Sequence, residues 1–542
     1  MATSASTDKV DYVVEDKEVR LASPPPAPAD TPGAEMDLSR GLKSRHLTMI
    51  SIGGVLGTGL FLYTGAALQS GGPLGLLLAF SIMGSVTYAV LISLGEMVSA
   101  SPLPGGAISL AARFVDESLS FTLGWFYCYT WTIFLPSELS AIAVLVNLWN
   151  TSVNNAVWIS VFLAAAVGTN LLGSRAYGET EYWLSWVKIL LVVGLIIVDI
   201  VISAGGVKGA PAIGFRYWRD PGPFVPAPGV GDPTLARFLG FWATLTRAAF
   251  SYIGSEIVAI AAGETQNPRK NVPRAIRNVY IRILLFYILG VFAIGITVPS
   301  DDPRLGLNSG TALASPFVIA IQSAGIKVLP GVVNGALLAS GLSAANSELF
   351  TSSRALHGLA VNGHAPRLFG RTSARGVPYV AILTCASFGA LAYMSIRSSA
   401  GTAFGYLATL GSAGGLLMWW GVCIIHIRFD KGLRLQRVPR ADLPYTNVLT
   451  RHSAAAWYAL VLITIVLFFS GYGVFLAGAW DTPTFITTYL PIILFPVVYG
   501  GHKAWTRCRV VRYEDMVFNV YADVHEEKEV SGRWRKMLAA VA

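Results

Sequence analysis

The sequence predicts an all-α membrane protein with about twelve transmembrane helices. Three observations carry that prediction. Apolar residues make up 53% of the 542 residues and charged residues 13%, roughly half the ~25% charge of soluble domains. The apolar residues gather into repeated stretches long enough to cross a bilayer. Most Lys and Arg fall between those stretches or at the two ends, as cytoplasmic loops require. A single water-soluble domain would expose more charge, and a disordered chain would hold fewer apolar residues. The 55 glycines have no three-residue period and there are only 4 cysteines, which removes collagen-like and disulfide-scaffold classes. The net charge of +9 is spread over the loops, so no nucleic-acid partner is expected. Cys128, Cys385, Cys423 and Cys508 read as small core residues.

Residues 1–45 are polar and rich in Ala, Ser and Pro, which reads as a disordered tail. No short apolar stretch follows a basic start, so no signal peptide is expected and the first span serves as the membrane-targeting element. Spans are expected at 47–69, 74–98, 119–148, 155–173, 182–204, 237–262, 279–299, 331–358, 378–396, 402–427, 454–477 and 482–503. Backbone groups inside lipid must bond internally, so each span is a helix. With the N-terminus inside, about 30 of the 40 Lys and Arg lie in tails and inner loops. Those loops hold Arg269, Lys270, Arg274 and Arg277, then Arg354, Arg367, Arg371 and Arg375, then Arg428, Lys431, Arg434, Arg437 and Arg440. Twelve spans put both termini in the cytoplasm, which agrees with the basic segment from Lys503 to Lys536. Asn150-Thr151-Ser152 is a weak glycosylation sequon in an expected outer loop.

Two spans carry features that a lipid-facing helix has little reason to hold. The first places Gly53, Gly54, Gly57 and Gly59 within seven residues. Each glycine weakens a helix by about 1 kcal/mol relative to Ala. Close packing through the Gly53/Gly57 pair is one reading. The sharper one is an unwound point, where free N–H groups around Gly57, Thr58 and Gly59 face an anion and freed carbonyls face a cation. The sixth span places Gly254 and Ser255 before Glu256, an acid inside an apolar run. Intramembrane acids are costly and usually functional. Glycine-interrupted spans five apart are the expected mark of a transporter built from two inverted repeats.

The first span, Leu94-Gly95-Glu96-Met97, Arg113-Phe114-Val115-Asp116, Phe250–Glu256, Ala262–Ile276 (AGETQNPRKNVPRAI), Ser343–Ser347 and Ser353-Arg354 together resemble the fungal amino-acid permeases of the amino acid–polyamine–organocation superfamily. The resemblance runs in order over roughly residues 40–510. It implies a leucine-transporter-type fold. The first repeat would be 46–204 with helices one to five, and the second 205–427 with helices six to ten. Two further helices would follow at 428–503, then a cytoplasmic tail at 504–542. It also implies import of an amino acid with protons across the plasma membrane, with the lipid bilayer as surroundings. Ubiquitin or trafficking machinery would act at the tails.

By that resemblance the substrate carboxylate would sit on the Gly57-Thr58-Gly59 amides and the Thr58 hydroxyl. Carbonyls near Val55, Phe250 and Ile253 would take its ammonium. Ser251 and Gly254 complete the substrate-binding set, with Phe250 as an aromatic gate. Glu138 sits mid-span and is assigned to the pocket or to proton transfer, against the alternative of an interhelical bond. Lys188 reads either as snorkelling to headgroups or as a buried cation between the first, fifth and eighth spans. In related transporters a sodium ion occupies that place. Ser343, Asn346 and Ser347 are its expected eighth-span neighbours, and Glu256 joins the proton-coupling set. Arg247 is expected to snorkel or to pair with an acid such as Asp199. Glu348 either widens cation acceptance or faces a packed neighbour. Glu264 and Asn267-Pro268 read as helix termination.

No P-loop, nucleophile elbow or zinc spacing is present, so neither ATP drive nor an enzyme is expected. No cofactor is expected beyond the proton as coupling ion. Two rivals to a proton-coupled importer are a carrier for a related organic cation, such as a polyamine or carnitine, and an amino-acid-sensing receptor that transports little.

Overall fold

The computed structural model describes residues 49, 53, 56–101, 103, 105–149, 152–209, 211–257, 276–306, 315–396 and 400–518. The expectations for the N-terminal tail, Val55, the Asn150-Thr151 sequon, Glu264, Asn267-Pro268, Arg269, Lys270, Arg274 and the tail beyond 518 lie outside the described residues. Among the described residues every regular element is helical. In chain order these are α1 (Gly59–Ala100), α2 (Ala107–Phe114), α3 (Glu117–Val146), α4 (Asn155–Leu171), α5 (Ser174–Ser203), α6 (Pro233–Tyr252), α7 (Ile276–Thr297), α8 (Pro316–Ser323), α9 (Leu329–Val361), α10 (Tyr379–Ile396), α11 (Ala400–Leu435), α12 (Ala454–Phe469) and α13 (Thr482–Thr506). Short 3-10 turns join several of them.

Local chemistry sets the helix starts. Asp116 caps α3 by accepting from the Leu119 N–H at 2.7 Å, and Asn154 caps α4 through Ala156 at 2.9 Å. Asp232 accepts from Thr234 at 2.7 Å ahead of α6, with Pro233 at the first helical position. Each cap satisfies one of the orphan donors of a helix start.

Eight helices among the described residues are long and apolar enough to cross a membrane. The polar composition of α6 and α9 keeps them out of that set. The first carries Arg237 and Arg247, and the second carries Asn334, Ser340, Ser343, Asn346, Ser347 and Glu348. Of these polar residues, Ser347 and Glu348 line the hollow described below.

The expected first and second spans form one run, α1, broken at Gly72. There φ is +75°, a left-handed conformation that L residues rarely adopt. The segment after α5 returns to that break: Pro223 O accepts from Leu74 N at 3.0 Å. Two elements went unforeseen: α2 and α8 are only eight residues each, too short to stand out by hydropathy.

The core centres on α3. Both α9 and α11 pack along it, α6 packs along α1, and α9 also meets α5. At one end of the bundle Glu96 bonds His426 at 3.1 Å and pairs with Arg440, which also holds Asp430. The segment after α13 lies across that same end. Val511 donates to Val115 O at 2.8 Å, and the Phe518 ring stacks on Phe114 at 5.7 Å. The four cysteines are free, as small core residues would be, with Cys508 part-exposed.

Gly72→Ala is expected to lower the thermal unfolding temperature of the purified protein in detergent. A Cβ there meets Pro223 O at 2.7 Å, and the left-handed φ adds about 1–2 kcal/mol. Gly168→Ala, where a Cβ meets nothing within 4 Å, should leave that temperature unchanged or raise it.

Candidate functional site

Both glycine-bearing stretches are interrupted. Leu56 and Gly57 have no helical assignment, and the helical run resumes at Thr58 and Gly59. At the other break α6 ends at Tyr252, Ile253 is extended, and Gly254 takes φ +98° before the chain resumes its coil at Ile257. Between the breaks lies a cavity of about 50 Å³, room for a few waters. Its walls are formed by Gly57, Gly59, Phe250, Ser251, Ile253 and Ile257 at the two breaks, by Trp131, Phe134 and Glu138 of α3, and by Ala344, Ser347 and Glu348 of α9.

The Thr58 donors expected to meet a substrate carboxylate are taken by an acid of the protein itself. Thr58 donates to Glu138 Oε1 from its backbone N–H at 3.3 Å and from its hydroxyl at 2.9 Å. Glycine at 57 is required for this contact, because a Cβ there would stand 2.9 Å from that oxygen. The Leu56 carbonyl freed by the break accepts from Ser340 at 3.2 Å. Four buried polar atoms of the cavity lining have no hydrogen-bond partner among the described residues: Glu138 Oε2, Glu348 Oε2, Ser251 Oγ and Trp131 Nε1. Phe250 meets Tyr63, Phe134 and Phe404 edge-on, at centroid distances of 5.2, 5.3 and 5.8 Å.

Lys188 does not snorkel. It is fully buried and faces the equally buried Glu181 at 3.4 Å. Glu181 also accepts from Ser343 at 2.6 Å and from Ser185 at 3.5 Å. Ser343 therefore reaches Lys188 through an acid that the sequence reading missed. Asn346 and Ser347 are not its partners. Asn346 Oδ1 accepts from Asn170 at 2.8 Å, and Ser347 Oγ accepts from the Tyr177 hydroxyl at 3.1 Å. Ser343 and Ser347, four residues apart, both face α5 but meet different side chains of it, whereas Asn346 meets α4.

Glu256 is a separate group. It accepts from the Gly254 N–H at 3.0 Å and from Trp419 Nε1 at 3.0 Å, and it does not line the cavity. Arg282, fully buried and also missed from sequence, donates to Ser255 at 2.7 Å and ties α7 to the same break. The expected Arg247–Asp199 pair does not form: Arg247 bonds Ala66 O and Ser70, and both Asp199 oxygens are buried without a hydrogen-bond partner among the described residues.

Missed residues had a signal in the spacing. Trp131, Phe134 and Glu138 fall at helical i, i+3, i+7, and Glu181, Ser185 and Lys188 at i, i+4, i+7. Each set lies on one helix face.

A hollow between two interrupted helices, with apolar walls that carry Glu138, Ser251, Ser347 and Glu348 inside an apolar bundle, is the arrangement of a membrane transport protein. The chain belongs to the amino acid permease family, whose sequence model matches residues 46–514. It is therefore a multi-pass membrane transporter and not an enzyme.

A lysine-specific permease of Saccharomyces cerevisiae is 38% identical over 93% of this chain and 83% of its own length. A dicarboxylic amino acid permease of the same yeast is 38% identical over 92% and 82%. A proline-specific permease of Emericella nidulans is 39% identical over 86% and 85%. Relatives named for a basic, an acidic and an imino acid are thus equally near. In fold, the chain resembles a manganese transporter of Eremococcus coleocola, with TM-score 0.52, 14% identity, and coverage of 88% of this chain and 98% of that one.

Gly57→Ala is expected to leave the protein folded while dislodging Glu138 from Thr58. The added Cβ narrows the approach to the Thr58 donors, which should lower amino-acid uptake about tenfold or more. Uptake in a transport-deficient host checks this, with membrane expression measured alongside.

Proposed function

We propose that the chain imports amino acids across the plasma membrane by proton symport. Alternating access operates around the cavity between the two helix breaks. In this reading the chain crosses the membrane twelve times with both termini in the cytoplasm. Residues 46–204 and 205–427 form inverted repeats, and 428–503 supply the last two helices.

One observation carries the proposal: a carboxylate of the protein sits on the amide and hydroxyl of Thr58. Those donors are what a substrate carboxylate needs at a helix start. Two anions compete for them. While Glu138 is ionised it holds Thr58, and the cradle is closed. A proton on Glu138 removes the competing charge, and the substrate carboxylate takes its place. Proton and substrate then load together, which is the condition for symport. The substrate ammonium faces carbonyls at the second break, with Ser251 Oγ available beside them.

The charged groups facing Glu138 come from two other helices, Lys188 on α5 and Glu348 on α9. Lys188 holds a positive charge near the break without occupying the cavity. Its link through Glu181 to Ser343 ties α5 to α9. Movement of α9 against α5 must break or carry that link, so the pair reports the position of one helix to the other. Glu256 holds the shape of the second break through its bonds to Gly254 and Trp419, and is a positioning residue.

The test is uptake by the full chain in proteoliposomes with an imposed pH gradient. Wild type should accumulate label when the outside is acidic and lose that accumulation with a protonophore. Glu138→Gln, permanently neutral, should exchange substrate across the bilayer without pH-driven accumulation. Lys188→Ala should lose uptake. Glu138→Gln accumulating label like wild type would contradict the competition mechanism.

A further inference from the structure

The cavity holds a second acid, Glu348, which the Glu138–Thr58 exchange leaves unused. Its side chain is more than nine-tenths buried and lines the hollow, and its Oε2 has no hydrogen-bond partner among the described residues. A buried carboxyl keeps its charge only beside a compensating cation, and Glu348 has none on its own side of the cavity. Among the described residues, the cation that acts on Glu348, Lys188, already faces Glu181, and the other charged group lining the cavity is an acid, Glu138. A ligand that brings its own positive charge supplies what the protein omits.

The rest of the wall suits such a ligand. Trp131, Phe134 and Phe250 line the same hollow, and aromatic faces attract ammonium and guanidinium groups. On α9 the neighbours of Glu348 along the wall are Ala344 and Ser347, whose small side chains leave the acid accessible. An acidic substrate side chain would meet two carboxylates and be repelled.

We infer that Glu348 is a specificity residue that binds the cationic side chain of a basic amino acid, so that the substrate class is lysine, arginine or ornithine. This rests on the reading of the chain as an amino-acid importer. The division of labour follows from the geometry. Thr58 and Glu138 handle the α-carboxylate common to all amino acids, and Glu348 handles the charge at the far end of the side chain. A polyamine has the cation and lacks the carboxylate, so it satisfies only half of the site.

The experiment is uptake of labelled lysine, leucine and glutamate by the full chain in proteoliposomes, with spermidine as unlabelled competitor. Wild type should show a kcat/KM for lysine at least about tenfold above leucine, and glutamate should be excluded. Glu348→Gln should cut the lysine-to-leucine ratio about tenfold or more, within the range for losing one partner of a buried charge pair. Glu348→Asp should restore part of that ratio. Thermal unfolding of each variant confirms that it is folded. A lysine-to-leucine ratio unchanged in Glu348→Gln overturns the inference, whether overall uptake is kept or falls. Preference for leucine or glutamate in wild type, or stronger competition by spermidine than by lysine, also overturns it while leaving a transporter in place. Failure of wild type to move any of the three amino acids overturns the importer reading itself.

Discussion

A helix broken inside lipid leaves backbone donors and acceptors without partners, and each such group costs several kcal/mol if it stays bare. At Gly57 and Thr58 the protein meets that cost with a carboxylate from another helix. Glu138 accepts from the Thr58 amide and hydroxyl, so the start of the resumed helix is capped and the break is stable without ligand. The solution has a consequence. A cap made by an ionisable group can be removed by a proton, whereas a cap made by a serine cannot. In the proposed mechanism, the contact that caps the broken helix is the one a proton releases, at the donors a substrate carboxylate would use.

The helices around this contact are arranged to protect it. α3 carries Glu138, and α9 and α11 pack along α3. Beside it, the Lys188–Glu181 pair with Ser343 joins α5 to α9. Fully buried ion pairs add little net stability compared with apolar packing, but breaking one leaves a costly bare charge. The pair therefore specifies a relative position of two helices more than it adds stability. Glu256 plays a similar part at the second break, where Gly254 and Trp419 satisfy one of its oxygens.

Much of this was legible in the residues. The glycine cluster of span one and Gly254 with Ser255 in span six located both interruptions, because glycine weakens a helix. Glu138 and Phe250 were placed at the pocket from motif and resemblance, and they line the cavity; Ser347, expected beside Lys188, lines it too. Roles of partners were harder. Glu181 lies seven residues before Lys188, and a mid-helix acid near a span's end reads as surface until its burial is known. Asn346 and Ser347 share a motif with Ser343, yet helical rotation turns Asn346 to Asn170 on α4, and Ser347, one turn beyond Ser343, meets Tyr177 on α5 rather than Lys188. Arg282 and Trp419 complete the second break from helices remote in sequence, and no local pattern announces them. Spacing identifies a face, and only tertiary packing says what that face meets.

The central claim is that the substrate carboxylate replaces Glu138 at Thr58. An experimental structure of the full chain with an amino acid bound tests it most directly. The account predicts the substrate carboxylate within hydrogen-bond distance of the Thr58 N–H and hydroxyl, with Glu138 turned away from both. A bound amino acid whose carboxylate lies elsewhere, with Glu138 still on Thr58, would contradict it.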